Sequence, residues 1–96
     1  MSVTKYGLVD IVAAEVGPKI TRKDVGIIVE RFLKVLGRTL AEGNRVEIRG
    51  FGVFTTKVRR ERLGRNPRTK EPVRIPSRLV PVFKPSRILM AMVSQR

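Results

Sequence analysis

Apolar residues recur at helical spacing in two N-terminal segments. The first segment runs from Leu8 to Val16, follows a candidate cap at Thr4, and ends at Gly17-Pro18. The second opens with a capping-box pattern at residues 21–24 and stops at Gly43-Asn44. Its apolar positions form one broad face and are Val25, Ile28, Val29, Phe32, Leu33, Leu36 and Leu40. The pattern predicts two amphipathic helices.

The period then changes from helical to alternating. Residues 45–49 alternate polar with apolar, which predicts a half-buried strand, and residues 50–52 form the turn into a strand that starts at Val53. A return strand over residues 73–82 is interrupted by prolines, which indicates an edge or irregular strand. Ser86 can then cap a short helix that runs from Arg87 to about Ser94.

The order helix, helix, three strands, helix predicts an α+β fold in a single domain of residues 1–96. A chain of this length buries only about 60–70% of its unfolded surface, so its own core is small. We therefore expect a dimer in which two chains share one core, built from Phe32, Leu33, Leu36, Phe51, Phe54 and Phe83. Gly26 and Gly37 in the second helix fit either tolerated substitutions or close approach of another helix.

Charge is concentrated in residues 57–78, which contain nine Lys or Arg and two Glu, a net charge of +7 within a chain of +13. Residues 1–56 contain nine basic and six acidic side chains and carry only +3. Residues 64–69, rich in Gly, Asn and Pro, predict a turn, so we interpret residues 57–78 as a ribbon of two strands, called the arm below. The basic charge leaves nucleic acid, an anionic membrane surface or an acidic protein as candidate partners, and its concentration in the arm favours a binding face.

The composition excludes several kinds of chemistry. The sequence contains no Cys and no His, so it has no thiolate, no imidazole base and none of the commonest metal ligands. The eight carboxylates form no paired metal-binding motif, so we expect no catalytic residues, no bound metal and no cofactor. The N-terminal residues lack the apolar core of a signal peptide, and the longest apolar run, residues 88–93, is too short to cross a bilayer. We expect a soluble cytoplasmic protein that does not act at a membrane.

Several residue types at fixed spacing resemble the signature of the bacterial HU/IHF family of histone-like DNA-bending proteins. They are Gly50-Phe51-Gly52-Val53-Phe54, Arg59, Arg62, Gly64-Arg65-Asn66-Pro67-Arg68-Thr69, Ile75-Pro76 and Pro81-Val82-Phe83-Lys84-Pro85. The resemblance implies an intertwined dimer with two N-terminal helices per chain, a three-stranded antiparallel sheet, a long protruding β-ribbon arm and a short C-terminal helix. It also implies two arms that reach around duplex DNA in the minor groove.

By the same resemblance, Pro67 is the wedge that enters between base pairs, with Arg65 and Asn66 lining the groove beside it. Residues along the arm hold phosphates, and the start of the last helix meets the DNA backbone. The implied DNA contacts are Lys57, Arg59, Arg60, Arg62, Arg65, Asn66, Pro67, Arg68, Lys70, Arg74, Arg78, Lys84, Ser86 and Arg87. Local sequence alone favours an ordinary turn proline at Pro67, and the family pattern around it favours the wedge.

Two positions depart from the family pattern, because Lys70 and Ser86 stand where glycine is usual. The leading hypothesis is a nucleoid-associated homodimer that binds and bends double-stranded DNA with little sequence preference. One alternative is a sequence-selective, IHF-like bender, with a paralogous subunit as partner. A basic RNA-binding protein is the other, although one Tyr and no Trp leave few stacking platforms for single strands.

Overall fold

The computed structural model describes residues 1–95. Its elements are α1 (Lys5–Val16), α2 (Arg22–Ala41), β1 (Val46–Ile48), β2 (Gly52–Arg59), β3 (Arg62–Arg65), β4 (Pro72–Ile75), β5 (Arg78–Pro85) and α3 (Arg87–Ser94). They divide into a helical unit, residues Met1–Arg38, and a unit that begins at Thr39 and holds the strands and α3. The predicted α+β class is confirmed, while a single domain stays a prediction.

Hydroxyl side chains cap all three helices at the predicted positions. The Thr4 hydroxyl oxygen accepts a hydrogen bond from the Gly7 amide at 3.3 Å, and that of Thr21 accepts from Asp24 at 3.1 Å. Ser86 accepts from the Leu89 amide at 3.0 Å. Each hydroxyl oxygen accepts a hydrogen bond from a backbone amide that has no partner within the first helical turn. The position at which each helix begins can therefore be predicted from the local sequence.

The helical unit is held by a small apolar contact between α1 and α2. Val9 and Val25 are its buried apolar residues, at 3% and 4% exposure. A Cβ built on Gly26 would lie 3.9 Å from Val9 Cγ1, an ordinary contact, and one on Gly37 would meet nothing within 4 Å. Within a single chain, therefore, neither position requires glycine for space.

The sheet is antiparallel with the strand order β1-β2-β5. Phe54 is paired with Phe83 across β2 and β5, with ring centroids 4.7 Å apart, and Phe51 lies 5.5 Å from Phe83. Gly52 is required beneath this cluster, because a Cβ there would come within 2.6 Å of both the Phe83 ring and the Lys84 carbonyl oxygen. Three of the four phenylalanines predicted to form the core therefore come together.

The outer part of the arm is a second antiparallel ladder, formed by β3 and β4. Pairing stops after Arg59–Arg78 and resumes at Arg62–Ile75, three residues further along each strand. Equal spacing on both strands keeps one register, in which Pro76 lies opposite Glu61. Pro76 has no amide hydrogen to donate to the ladder, which accounts for a gap at this place.

The prediction that the turn starts at Gly64 is wrong. Gly64 and Arg65 belong to β3 and pair with Val73 and Pro72, so the loop at the end of the arm is residues 66–71. Glycine at position 64 leaves space for the Ile75 side chain and does not form part of a turn. A Cβ there would lie 2.9 Å from Ile75 Cδ1. The residue that explains this glycine lies on the opposite strand.

Candidate nucleic-acid interface

The arm presents its cations to solvent without exception. All nine Lys and Arg side chains between residues 57 and 78 are exposed, and they are Lys57, Arg59, Arg60, Arg62, Arg65, Arg68, Lys70, Arg74 and Arg78. The strand pairing brings these sequence-distant side chains onto one ribbon. A ribbon of this charge creates a strongly positive field along its length, which attracts polyanions.

The register sorts the cations onto the two faces of the ribbon, because residues directly opposite each other share a face. Lys57 and Arg59 lie on the same face as Arg78, and further along the arm Arg65 and Arg74 occupy one face while Arg62 occupies the other. Both faces therefore carry positive charge.

Arg59 and Arg78 are directly opposite each other in the last pair of the β2–β5 ladder. Like charges at such a position destabilise the pairing of the strands. An anionic oxygen bound between the two guanidinium groups would remove that repulsion and gain charge-assisted hydrogen bonds. The Arg59–Arg78 pair is thus repulsive without an anion and is a favourable place to bind a phosphate.

Glu61, at the gap between the β2–β5 and β3–β4 ladders, forms an ion pair with Arg74. Glu61 Oε1 lies 2.5 Å from Arg74 Nε, and both side chains are largely exposed. An exposed ion pair of this kind contributes at most about 1 kcal/mol to stability. Arg74 can therefore exchange this carboxylate for a phosphate at little cost.

Pro67 lies in the loop that closes the arm and is exposed. Its neighbours Arg65 and Asn66 make hydrogen bonds within the same loop: Arg65 donates to the Lys70 carbonyl at 3.1 Å, and the Asn66 side-chain oxygen accepts from the Arg68 amide at 2.8 Å. The resemblance implies groove contacts for Arg65 and Asn66, and these stay a prediction. The structure shows that both side chains make hydrogen bonds within the loop.

A second group of predicted contacts surrounds the start of α3. Lys84 and Ser86 line a shallow groove with Arg49, and Arg87 is exposed on the first turn of α3. The Ser86 hydroxyl donates to the Gly50 carbonyl at 2.9 Å while it caps α3, so its proton is already used. Arg49, which the sequence analysis did not name, lies directly before the glycine turn, and Glu47 lines the same groove.

Neither a metal-binding cluster nor a membrane-spanning helix is found among residues 1–95. Within that range the structure holds no group of three or more His, Cys, Asp or Glu side chains that could bind a metal ion. None of the helices described is long and apolar enough to cross a membrane.

Residues 3–94 match the protein-family model described as bacterial DNA-binding protein. The chain belongs to this family. This family member is 44% identical over 91 residues to integration host factor subunit beta of Halorhodospira halophila, an alignment that covers 95% of this chain and 88% of that protein. It is 43% identical over 86 residues to the same subunit of Hahella chejuensis, covering 90% and 87% of the two chains.

Solved structures extend the similarity of this bacterial DNA-binding family member to its fold. HU from Anabaena, in a cocrystal with DNA, aligns with a TM-score of 0.89 at 31% identity, covering 97% of this chain and 99% of that chain. A mutant HU from Thermotoga maritima aligns with a TM-score of 0.69 at 30% identity, covering 95% and 99%. The predicted membership of the HU/IHF family is confirmed.

Proposed function

We propose that this protein is a dimeric architectural DNA-binding protein of the bacterial nucleoid, which grips double-stranded DNA in the minor groove and bends it. The observation that carries the proposal is the opposed Arg59–Arg78 pair within a ribbon of nine exposed cations. Contacts to phosphate supply affinity without sequence information, so we expect little sequence preference. The DNA-bound HU structure, which aligns over nearly the whole chain, supports duplex DNA as the ligand.

Bending of the duplex is expected from the insertion of Pro67 between base pairs together with phosphate contacts elsewhere on the protein. Pro67 provides a rigid ring with no amide hydrogen to desolvate, and its insertion between base pairs costs a few kcal/mol of unstacking. Phosphate contacts made by the arm and by Lys84 and Arg87 offset that cost as the duplex curves toward the protein. These contacts need a duplex wrapped by both arms of a dimer.

The partner in that dimer is a second copy of this chain or a paralogous subunit. Phe32 and Leu33 on α2 are 55% and 46% exposed in the single chain, and Phe51 and Phe83 in the ring cluster are 44% and 39% exposed. With the half-buried Leu36 on α2 and the half-buried Phe54 in the ring cluster, these residues make two apolar patches, one in each unit, that we assign to the dimer core.

The salt dependence of DNA affinity tests the proposal. Each phosphate neutralised on duplex DNA contributes about 0.9 to the slope of log affinity against log salt. We expect a steep slope for the wild type, reduced by about 2 in the double variant Arg59→Ala/Arg78→Ala, as measured by fluorescence anisotropy with a linear duplex. Lys34→Ala, which removes an exposed cation from α2, is the matched control. A flat wild-type response, or an equal reduction in both variants, would contradict the proposal.

The integration host factor relatives favour a second candidate, a sequence-selective bender that works as one subunit of a heterodimer. DNA deformability can create sequence preference without any contact to base edges. Selection of bound duplexes from a random pool separates the two candidates, because only the second enriches a shared motif. Competition with structured RNA in the same assay tests RNA as a ligand.

A further inference from the structure

The helical unit contains a cleft between α1 and α2. Its volume is about 560 Å³, and the residues that line it all lie between positions 5 and 34. Val9 in the cleft is buried, whereas Tyr6 and Ile27, which also line it, are more than half exposed. The cleft therefore offers apolar surface that the chain itself leaves uncovered, in a space large enough to accept a side chain of a ligand.

Cationic side chains surround this apolar surface. The cleft is lined by five Lys or Arg and by one Glu, so its residues carry a net charge of +4. Two of the cations are already paired, Lys5 with Glu30 and Arg22 with Asp10. The other three form no ion pair among the described residues, and they are Lys23, Arg31 and Lys34.

The cleft lies on the side of α2 opposite the residues that we assign to the dimer core. Lys23 precedes Phe32 by nine residues, and Ile27 precedes Leu36 by the same number. At 3.6 residues per turn, nine residues make two and a half turns, so the members of each pair lie on opposite sides of the helix. A dimer formed through Phe32 and Leu36 therefore leaves the cleft accessible.

We infer that this cleft is a second binding surface, which accepts an acidic, amphipathic segment of a partner protein. An apolar side chain of the segment enters the cleft, and its carboxylates pair with Lys23, Arg31 and Lys34 through charge-assisted hydrogen bonds. The cleft shares no residue with the arm, so its use does not depend on DNA binding.

Duplex DNA fits the cleft less well than a peptide does. A duplex is stiff over this distance and carries its phosphates outermost, so it would contact the cations and leave Tyr6 and Ile27 in water. A peptide with both carboxylates and an apolar side chain satisfies the charge and covers the apolar surface together.

Two synthetic peptides of equal charge test the apolar part of the inference. Both are helical and rich in Glu, but one has Leu at i, i+4 spacing where the other has Ser. We expect the Leu peptide to bind at least about tenfold more tightly, because the cleft removes a leucine side chain from water. Fluorescence anisotropy of the labelled peptides measures this, with and without saturating duplex to occupy the arm.

Gly26→Leu tests whether the peptide enters this cleft. A Cβ at Gly26 would make one ordinary contact, 3.9 Å from Val9 Cγ1, so the longer side chain would occupy the cleft without removing any charge. Leucine also favours the helix more than glycine does, so the variant is expected to fold. We expect it to bind the Leu peptide at least about tenfold more weakly than wild type, with an unchanged mass in solution.

The double variant Lys23→Ala/Arg31→Ala tests the cations. It should bind the Leu peptide about fivefold or more weakly, because two exposed ion pairs with the peptide are lost. Its salt slope of duplex affinity should equal that of the wild type. Lys19→Ala/Arg38→Ala, which removes two exposed cations outside the cleft, is the matched control and should keep the wild-type affinity for the peptide.

Equal binding of the two peptides by wild type would overturn the inference, because the protein would then attract charge alone. An equal loss of peptide affinity in the matched control would overturn it for the same reason. A fall of about 2 in the duplex salt slope of Lys23→Ala/Arg31→Ala would assign the cleft to DNA instead. A one-chain mass for Gly26→Leu would place the cleft inside the dimer. Failure of the proposed function is recognised separately, by a flat salt slope in wild type, and leaves the comparison of the two peptides unaffected.

Discussion

Lys70 stands in the left-handed backbone conformation, with a φ of 61°. A side chain in this region costs about 1 kcal/mol relative to glycine. Its amide donates to the Asn66 carbonyl and its carbonyl accepts from Arg65, and these two bonds offset the cost. The loop therefore keeps the backbone shape that glycine allows, with one more cation at the end of the arm.

Substitution of Lys70 separates backbone strain from charge. Lys70→Gly removes both, whereas Lys70→Ala removes the charge and keeps the strain. We expect both variants to lower the salt slope of DNA affinity by about 0.9, since each lacks one phosphate contact. Hydrogen exchange at amide 70 should be several-fold slower in the glycine variant than in the alanine variant. Equal exchange in the two would show that the positive φ carries no strain.

At the scale of elements, the sequence predicts helices better than strands. Caps depend on residues three positions apart, so Thr4, Thr21 and Ser86 could be found from the sequence alone. The loop at the end of the arm could not, because Gly64 is explained by Ile75 on the facing strand. Cross-strand contacts depend on a register that the sequence does not state.

The candidate site divides in the same way. The cationic arm and its proline could be predicted, since clustered charge and a Gly-Asn-Pro turn are visible in the sequence. The hydrogen bonds that Asn66 and Ser86 make to the protein's own backbone could not be predicted. Whether a polar side chain bonds to its own loop or to a ligand depends on distances that only a folded backbone sets.

An ion pair joins the two N-terminal helices, with Lys5 Nζ 2.9 Å from Glu30 Oε2. The hydrogen bond from Lys5 and the charge of its ammonium group hold the pKa of Glu30 below its ordinary 4.5. In the same way, the hydrogen bond to Glu30 raises the pKa of Lys5 above 10.5. The pair therefore stabilises the folded state between these limits. Its contribution is lost as pH falls through the lowered pKa of Glu30, or rises through the raised pKa of Lys5.

Replacement of Glu30 should flatten the acid side of the stability profile. In Glu30→Gln, the free energy of unfolding is expected to fall less steeply between neutral pH and the acid range than in wild type, because the carboxylate with the lowered pKa is gone. Urea denaturation at a series of pH values measures this. Glu15→Gln, which removes an exposed carboxylate from α1, should leave the slope unchanged. If the free energy of unfolding fell with pH equally steeply in Glu30→Gln and in wild type, the ion pair with Lys5 would not contribute to the acid dependence of stability.

On the scale of the whole molecule, a single chain leaves much of its apolar surface uncovered. Val9 and Val25 are the buried apolar side chains of the described residues, while Ile28 and Phe32 on α2 are more than half exposed. Covering apolar area contributes roughly 25 cal/mol per Å², so a shared core would add stability that one chain does not have. Folding and assembly are then expected to be one process.

Two lysine substitutions on α2 test this assembly. Phe32 and Ile27 are 55% and 52% exposed in the single chain, but they lie on different sides of the helix. We expect Phe32→Lys to reduce the mass in solution from two chains to one and to weaken DNA binding by at least tenfold, because one arm cannot surround a duplex. Ile27→Lys should leave the mass unchanged. A one-chain mass for wild type in analytical ultracentrifugation would refute the shared core.

The interruption of the arm opposite Pro76 has a geometric consequence. Because the same number of residues is omitted from each strand, the alternation of side chains continues in phase across it. A single extra residue on one strand would shift its register by one position, so that different residues would be paired beyond the gap. Because the register is the same on both sides of the gap, the cations before and after it can contact one continuous row of phosphates.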